Sequence, residues 1–209
     1  MNLILQGPAG DLEACLDFPA ADSAAAAPSA FAVVCHPHPL YGGTLTNKVV
    51  HTLARSFSDS GMPSLRFNFR GVGASAGTHD GGPGEVQDAL AVVRYGRERW
   101  PQARLWLAGF SFGAAVAVRA SLDAAPAGLV AVAPAVDRME LGAVTPAAPW
   151  LVVLGDADEV VAPQRMLEWA RGLHPAPTLQ VLPGAGHFFH GRLPELRARV
   201  TAFLNQRPG

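Results

Sequence analysis

Residues 105–115 read Leu105-Trp106-Leu107-Ala108-Gly109-Phe110-Ser111-Phe112-Gly113-Ala114-Ala115 and predict an apolar strand, a sharp turn at a serine and an alanine-rich helix. Glycines two residues before and two residues after Ser111 remove the side chains that would clash across such a turn. A helix that starts at Phe112 directs its unpaired N–H groups and the positive end of its dipole at the space above the serine hydroxyl. Ordinary loops also contain Gly-x-Ser-x-Gly, but the strand before it and the helix after it favour a nucleophilic serine.

The composition limits the classes of protein that the chain can represent. Its 209 residues fit one domain spanning 1–209, and the net charge of -1 leaves no strong field to attract nucleic acid or an anionic membrane. No apolar run approaches the ~20 residues of a membrane span, and no signal-peptide pattern opens the chain. Cys15 and Cys35 lie in apolar segments that are typical of buried thiols. We expect a cytoplasmic protein without nucleic-acid or membrane partners, as a monomer or a homodimer.

The remaining sequence alternates between strand and helix patterns. Residues 2–18 predict a hairpin of two edge strands, and residues 20–30 predict a surface connection. Further strands are predicted at 31–35, 65–69, 105–108, 129–133, 150–154 and 179–182, with helices at about 47–60, after Gly84, from Phe112, from Pro163 and around Leu196 to Leu204. Repeated β-then-α units of this length predict an α/β fold, with a mostly parallel sheet of about eight strands covered by helices on both faces.

Polar residues follow several of these predicted strands directly. Open α/β sheets carry their sites beyond the carboxyl ends of the strands, so these loops are the candidate functional segments. They read His36-Pro37-His38-Pro39-Leu40-Tyr41-Gly42-Gly43, Arg70-Gly71-Val72-Gly73-Ala74-Ser75, Gly155-Asp156-Ala157-Asp158-Glu159-Val160-Val161 and Pro183-Gly184-Ala185-Gly186-His187-Phe188-Phe189. Together with the loop of Ser111, they bring a serine, an acid and a histidine to the same edge in that chain order.

The chain resembles the α/β-hydrolase superfamily over essentially its whole length, in its strand-end signatures and in the order nucleophile, acid, histidine. The runs H-P-H-P-L-Y-G-G-T (36–44) and R-F-N-F-R-G-V-G-A-S-A-G (66–77) resemble a group of small lidless bacterial serine hydrolases. The resemblance implies that Ser111 is the nucleophile, His187 the base and Asp158 the orienting acid. It also implies hydrolysis of a small-molecule ester through an acyl-enzyme, without a cofactor.

Two of these assignments have competitors nearby in the sequence. Asp156 lies two residues before Asp158, but the superfamily pattern favours Asp158, which stands three residues after Gly155 and just before two valines. Asp156 and Glu159 are then interpreted as turn or solvent-facing carboxylates. His190 is the alternative to His187.

An oxyanion hole needs a second N–H besides that of Phe112, and prolines 37 and 39 have none to give. The resemblance assigns this role to His38, with Leu40 as the alternative. A metal site at His36 and His38 is not expected, because the prolines predict an extended segment and no third ligand accompanies it.

The 16 residues from Pro134 to Pro149 suffice for a loop or a short helix but not for a cap domain. The strand-end loops must then form the substrate pocket themselves, and we expect a shallow site that prefers short acyl groups. Its candidate walls are Leu40, Tyr41, Phe112, Val136, Met139, Val160, Phe188 and Phe189. Cleavage of amides, peptides or thioesters, or ligand binding without turnover, are the alternatives to ester hydrolysis.

Overall fold

The structure is a computed structural model that describes residues 1–19, 27–137, 139, 141 and 144–206. Its strands are β1 (Asn2–Gly7), β2 (Gly10–Asp17), β3 (Ala30–Cys35), β4 (Ser64–Phe67), β5 (Arg104–Phe110), β6 (Gly128–Val132), β7 (Trp150–Gly155) and β8 (Thr178–Leu182). Its helices are α1 (Lys48–Asp59), α2 (Pro83–Arg99), α3 (Phe112–Ala124), α4 (Pro163–Gly172) and α5 (Leu193–Asn205). The connection predicted over 20–30 falls mainly on residues 20–26, which lie outside the described residues.

One sheet holds these eight strands in the order β1-β2-β4-β3-β5-β6-β7-β8. β1 pairs with β2 and β2 pairs with β4 in antiparallel fashion, and every pairing from β4 to β8 is parallel. The predicted α/β fold with a mostly parallel sheet is therefore confirmed. The prediction that both hairpin strands lie at an edge is wrong for β2, because its second side pairs with β4.

The order of the strands decides on which face each helix lies. The chain moves from β3 to β4 in one direction and then returns past β3 to β5, so right-handed crossovers place α1 and α2 on opposite faces. The later crossovers, from β5 to β8, run in the same direction as the crossover from β4 to β5, so α3 and α4 lie on the same face of the sheet as α2. The observed packing of α1 against α5, and of α2 against α3, agrees with this assignment.

β3 is the strand at which the direction of the chain reverses, and the two segments that follow β3 and β5 diverge there. Such a switch point opens a crevice at the carboxyl ends of the two strands, where ligands bind in open α/β sheets. Every residue of β3 is buried, as expected for a central strand covered on both faces. The crevice lies directly in front of the turn that carries Ser111.

The segment between β6 and β7 contains no helix or strand among its described residues. It agrees with the expectation that no cap domain is inserted there. Within the described part of the chain, no helix is both long and apolar enough to cross a membrane.

Candidate active site

Ser111 occupies a strained turn between β5 and α3. Its φ of 56° and ψ of -118° lie outside the regions that side-chain-bearing residues normally adopt, at a cost of about 1–3 kcal/mol. Backbone bonds on both sides of Ser111 hold the turn: its N–H donates to the Val132 carbonyl at 2.9 Å, and its carbonyl accepts from N–H groups that include that of Ala114 at 3.0 Å. The hydroxyl is thereby projected from the end of the sheet on a fixed backbone.

Close backbone packing around this turn explains the two flanking glycines. A Cβ on Gly109 would lie 2.2 Å from the Gly113 carbonyl oxygen, and a Cβ on Gly113 would lie 2.3 Å from the His36 carbonyl oxygen. Neither contact leaves room for a side chain. The first turn of α3 can therefore approach the ends of β3 and β5 only with glycine at both positions.

A chain of two hydrogen bonds links the serine to a carboxylate. The Ser111 hydroxyl lies 3.0 Å from Nε2 of His187, and Nδ1 of His187 lies 2.7 Å from Oδ2 of Asp158. Because an ionised carboxylate can only accept, Nδ1 carries the proton and Nε2 is free to accept one from Ser111. The side chains of His187 and Asp158 are almost completely buried, so little water competes for these bonds.

The two candidate acids do different things in the structure. The second oxygen of Asp158 accepts the N–H groups of Val160 and Val161, both at 2.8 Å, so that the whole carboxylate is fixed toward the imidazole. Asp156 instead is exposed and accepts the N–H of Gly184 at 2.6 Å, which ties two neighbouring loops together. Of the two acids, only Asp158 contacts the histidine.

The imidazole of His187 is also held by its surroundings. Glu159 accepts a hydrogen bond from the backbone N–H of His187 at 3.1 Å. It was predicted only as a turn or solvent-facing carboxylate, and this contact with the histidine was not predicted. The rings of Phe110 and Phe188 lie 5.0 Å and 5.1 Å from the imidazole. His190, the predicted alternative, is exposed and contacts the Phe188 ring rather than the serine.

A small cavity of about 90 Å³ opens beside the serine. It is lined by His38, Tyr41, Ser111, Phe112, Ala135, Asp137, Val160 and Val161. Pockets for drug-sized ligands usually measure about 300–1,000 Å³, so this cavity accommodates only a small group. Its walls come from the loops after β3, β5, β6 and β7.

The loops beside the cavity carry the backbone N–H groups that were predicted to form an oxyanion hole. Phe112 is the first residue of α3, and its N–H has no partner within the helix. The loop after β3 forms a short 3₁₀ turn over Pro39–Tyr41, in which the Leu40 N–H donates to Nδ1 of His38 at 3.2 Å. The His38 ring packs 4.9 Å from the Phe112 ring. Leu40, the alternative oxyanion donor, therefore has its N–H engaged within the turn.

The eight side chains predicted as pocket walls lie in different surroundings: Phe112 and Val160 line the cavity, whereas Val136 and Met139 do not. Tyr41 lines the cavity, whereas Leu40 is exposed outside it. Phe188 is partly exposed beside His187, and Phe189 is fully buried. Phe189 differs from the prediction because its φ of 52° turns the side chain into the core, while the preceding Phe188 points outward.

A pair next to the cavity, a buried glutamate and a partly buried histidine, had no signal in the sequence. Glu85 is fully buried and accepts from the N–H groups of Asp80 and Gly82 and from Nδ1 of His79, at 2.7–2.9 Å. The His79 ring packs 4.8 Å from His38 and 5.6 Å from Phe112. Glu85 thus fixes a loop whose histidine supports both candidate oxyanion residues. Acidic residues are common in the first turn of a helix, so the sequence alone does not distinguish Glu85 from an ordinary residue at a helix start.

Several further polar residues brace the loops without reaching the cavity. His36 is buried, and its Nε2 accepts the Phe69 N–H at 3.0 Å, which explains why β4 ends at Phe67 rather than at the predicted residue 69. Burial lowers the pKa of His36 to about 4, so the ring is neutral. Arg70 forms a two-pronged ion pair with the buried carboxylate of Asp88.

A larger groove of about 570 Å³ lies between α1 and α5. None of its lining residues belongs to the loops that carry Ser111, His187 or Asp158. Its floor includes the ion pair between Arg197 and Asp59. Size alone therefore does not locate the candidate site, since Ser111 lines the smaller cavity and no residue of its hydrogen-bonded chain lines the groove.

Comparison with known proteins agrees with the fold. A lidless α/β serine hydrolase from Xanthomonas campestris is 43% identical, covers 99% of this chain and 94% of its own, and superposes with a TM-score of 0.94. An α/β serine hydrolase homologue from Coxiella burnetii is also 43% identical, with 98% and 97% coverage and a TM-score of 0.92. An uncharacterized protein of Rickettsia prowazekii is 33% identical over 184 residues, which are 83% of this chain and 77% of the relative.

Fold and comparisons together define an α/β serine hydrolase. Residues 28–147 match the family described as serine aminopeptidase S33, and the chain belongs to that family.

Proposed function

We propose that this protein hydrolyses small carboxylic esters with short acyl groups, through an acyl-enzyme on Ser111. The observation that carries the proposal is the continuous hydrogen-bonded chain from the Ser111 hydroxyl through His187 to Asp158, at 3.0 Å and 2.7 Å, beside a cavity of about 90 Å³. These are the contacts that a serine nucleophile needs from its base and its orienting acid.

In the proposed reaction, Nε2 of His187 removes the Ser111 proton as Oγ attacks the ester carbonyl. The imidazolium then donates that proton to the departing alcohol oxygen, and the acyl group stays on Ser111. A water molecule, activated by the same imidazole, releases the acid and restores the serine. Asp158 keeps Nδ1 protonated and stabilises the positive charge on the ring. The three bonds that it accepts keep its carboxylate oriented toward the imidazole.

The negative charge that develops on the carbonyl oxygen needs N–H donors. The unpaired N–H of Phe112, at the positive end of α3, is the first donor that we assign. The His38 N–H is the second. Engagement of the Leu40 N–H with His38 Nδ1 favours His38 over Leu40.

The size of the cavity supports a preference for short acyl groups. Each methylene that stays in contact with water contributes less than the ~0.8 kcal/mol of a fully buried CH₂. An acyl chain too long for a cavity of about 90 Å³ extends past its mouth, where Val160 and Tyr41 are exposed. Longer chains therefore gain little binding free energy.

Removal of an N-terminal amino acid is the second candidate, because the family description names a serine aminopeptidase. One observation favours it: the carboxylate of Asp137 lies on the cavity wall, where it could pair with a substrate ammonium group. The Asp137 carboxylate already has a partner, however, because it pairs with Arg165 at 2.7 Å. Esters are therefore the first choice.

The test is a panel of p-nitrophenyl esters from C2 to C12 and aminoacyl p-nitroanilides, run on the wild type and on Ser111→Ala. We expect Ser111-dependent ester hydrolysis with kcat/KM highest at C2 to C4 and little anilide cleavage. Values that rise steadily to C12 would contradict the acyl preference. Faster cleavage of the anilides would favour the aminopeptidase.

A further inference from the structure

Exposed apolar side chains are concentrated around the candidate site. Among the described residues, eight large hydrophobic side chains are exposed, and four of these belong to the loops that surround Ser111. The four are Leu40, Tyr41, Val160 and Phe188. Large exposed apolar patches are rare on monomeric proteins, and they often mark binding surfaces.

The Phe188 ring packs against three neighbouring rings although 40% of the residue's surface is exposed. Its ring lies perpendicular to the imidazole of His187 at 5.1 Å and contacts the rings of Phe110 and His190 at 6.1 Å and 5.8 Å. The next residue is anchored in the core, and the Phe189 N–H donates to the Gly186 carbonyl at 3.1 Å. An exposed aromatic ring that is fixed in this way offers a preformed apolar face.

The chemistry of the reaction places the two halves of an ester on different sides of the serine. His187 must deliver its proton to the oxygen of the departing alcohol, so the alcohol part lies beside the imidazole. The cavity beside Ser111 is too small for more than a short acyl group. Phe188 packs against the imidazole and does not line that cavity. It is therefore placed to contact the alcohol part and not the acyl part.

We infer that Phe188 forms a leaving-group subsite, and that the substrates are short-acyl esters of apolar, preferably aromatic, alcohols. The inference rests on the proposed ester hydrolysis and adds the chemical class of the alcohol. Contact between an aromatic alcohol and the ring of Phe188 contributes about two- to tenfold to kcat/KM beyond the effect of burial, which is the range that aromatic pairs provide.

The test uses acetates of methanol, benzyl alcohol and 2-naphthylmethanol, whose acidities are similar, so that leaving-group chemistry stays nearly constant across the series. The readout, within each variant, is the ratio of kcat/KM for the benzyl or 2-naphthylmethyl ester to kcat/KM for methyl acetate. We expect a wild-type ratio of about ten or more, a ratio several-fold lower in Phe188→Ala, and restoration toward the wild-type value in Phe188→Tyr. Phe18→Ala is the matched control, because Phe18 is 42% exposed on the hairpin side of the sheet.

A wild-type ratio near one, or an equal ratio in the wild type and Phe188→Ala, would contradict the leaving-group subsite. The proposed ester hydrolysis would still stand in that case, provided that methyl acetate is hydrolysed in a Ser111-dependent manner. A failure of the wild type to hydrolyse any of the three acetates in a Ser111-dependent manner overturns both. Loss of the ratio in Phe18→Ala as well would also contradict a specific role for Phe188.

Discussion

At the scale of single residues, the site depends on side chains whose polar atoms each have a defined hydrogen-bond partner. Nδ1 of His187 donates a hydrogen bond to Asp158, and Nε2 of His187 faces the Ser111 hydroxyl. One oxygen of Asp158 accepts from the imidazole and the other accepts from two backbone N–H groups. Burial strengthens these bonds, since the local dielectric is low. A change at any of these three positions is expected to affect the reaction more than the fold.

The first prediction separates the two neighbouring acids. Asp158→Asn can no longer fix the imidazole tautomer, and turnover should fall by about 10⁴-fold. Asp156→Asn keeps an oxygen for the Gly184 N–H and should retain turnover within a few-fold. The measurement is kcat for p-nitrophenyl acetate. A larger loss in Asp156→Asn would show that the acid is assigned to the wrong residue.

The second prediction concerns His36 and acid stability. Burial lowers its pKa in the folded protein to about 4, whereas the unfolded chain titrates near 6.5. Between those pH values the unfolded state binds the extra proton, so the free energy of unfolding falls as the pH falls from about 6.5 to 4. The contribution of this residue is about 3 kcal/mol at the acidic end of that range.

Urea unfolding at pH 7, 5.5 and 4 tests this effect. His36→Gln should show a shallower pH dependence than the wild type, whatever its absolute stability. The exposed His174 supplies the control, since His174→Gln should keep the wild-type slope. Equal slopes in all three proteins would mean that His36 does not stay neutral in the fold.

At the scale of the elements, the strand-turn-helix unit of β5 and α3 sets the geometry of the site. The turn is strained at Ser111, and the surrounding sheet stabilises it through the Val132 carbonyl and the tight contacts at Gly109 and Gly113. The loop after β3 packs against the same helix end through the rings of His38 and Phe112. The elements therefore hold both candidate oxyanion donors in place before substrate binds.

The third prediction tests this packing with a pair of glycines. Gly113→Ala pushes a methyl group against backbone carbonyls, so the first turn of α3 must shift, with a loss of about 1–3 kcal/mol in stability and a marked loss of turnover. Gly172, the last residue of α4, has open space where a Cβ would be placed. Gly172→Ala should therefore be neutral or stabilising by up to about 1 kcal/mol. Thermal unfolding and esterase rates measure both effects, and equal behaviour of the two variants would contradict the account.

At the scale of the whole molecule, the reversal of strand order at β3 creates the crevice in which the loops meet. Hydrophobic periodicity and the short apolar runs were sufficient to predict that sheet, because alternating β and α units permit few topologies. The same reasoning predicted that Ser111, Asp158 and His187 lie at one edge of the sheet, beyond the carboxyl ends of its strands. The assignment of β2 as an edge strand failed, since strand order within a sheet is not encoded in local periodicity.

The walls of the cavity were harder to predict than the positions of Ser111, Asp158 and His187 in the fold. Side-chain direction in irregular loops depends on single backbone angles, and the positive φ of Phe189 turns that residue inward beside an outward-pointing Phe188. Ala135 and Val161 line the cavity although nothing in their sequence context distinguishes them from core residues. Glu85 and His79 were missed because their contact joins a loop to a helix start through tertiary packing.

The fourth prediction follows from the segment between β6 and β7, where the described residues form no cap. A lipase that opens a lid at an interface accelerates when its substrate forms micelles, whereas an uncovered site has no lid to open. The hydrolysis rate of a short-chain ester should therefore saturate smoothly through the critical micelle concentration. A jump in rate at that concentration would show that a moving segment encloses the site.

The most direct test of the central claim is labelling by a fluorophosphonate, followed by intact-mass spectrometry. The account predicts one adduct on wild-type protein, none on Ser111→Ala, and labelling slowed by at least about 10²-fold in His187→Gln, because the base is lost while the hydroxyl remains. Peptide mapping should place the adduct at Ser111. An unlabelled wild type, or a Ser111→Ala variant that labels as fast as the wild type, would contradict the assignment of Ser111 as the nucleophile.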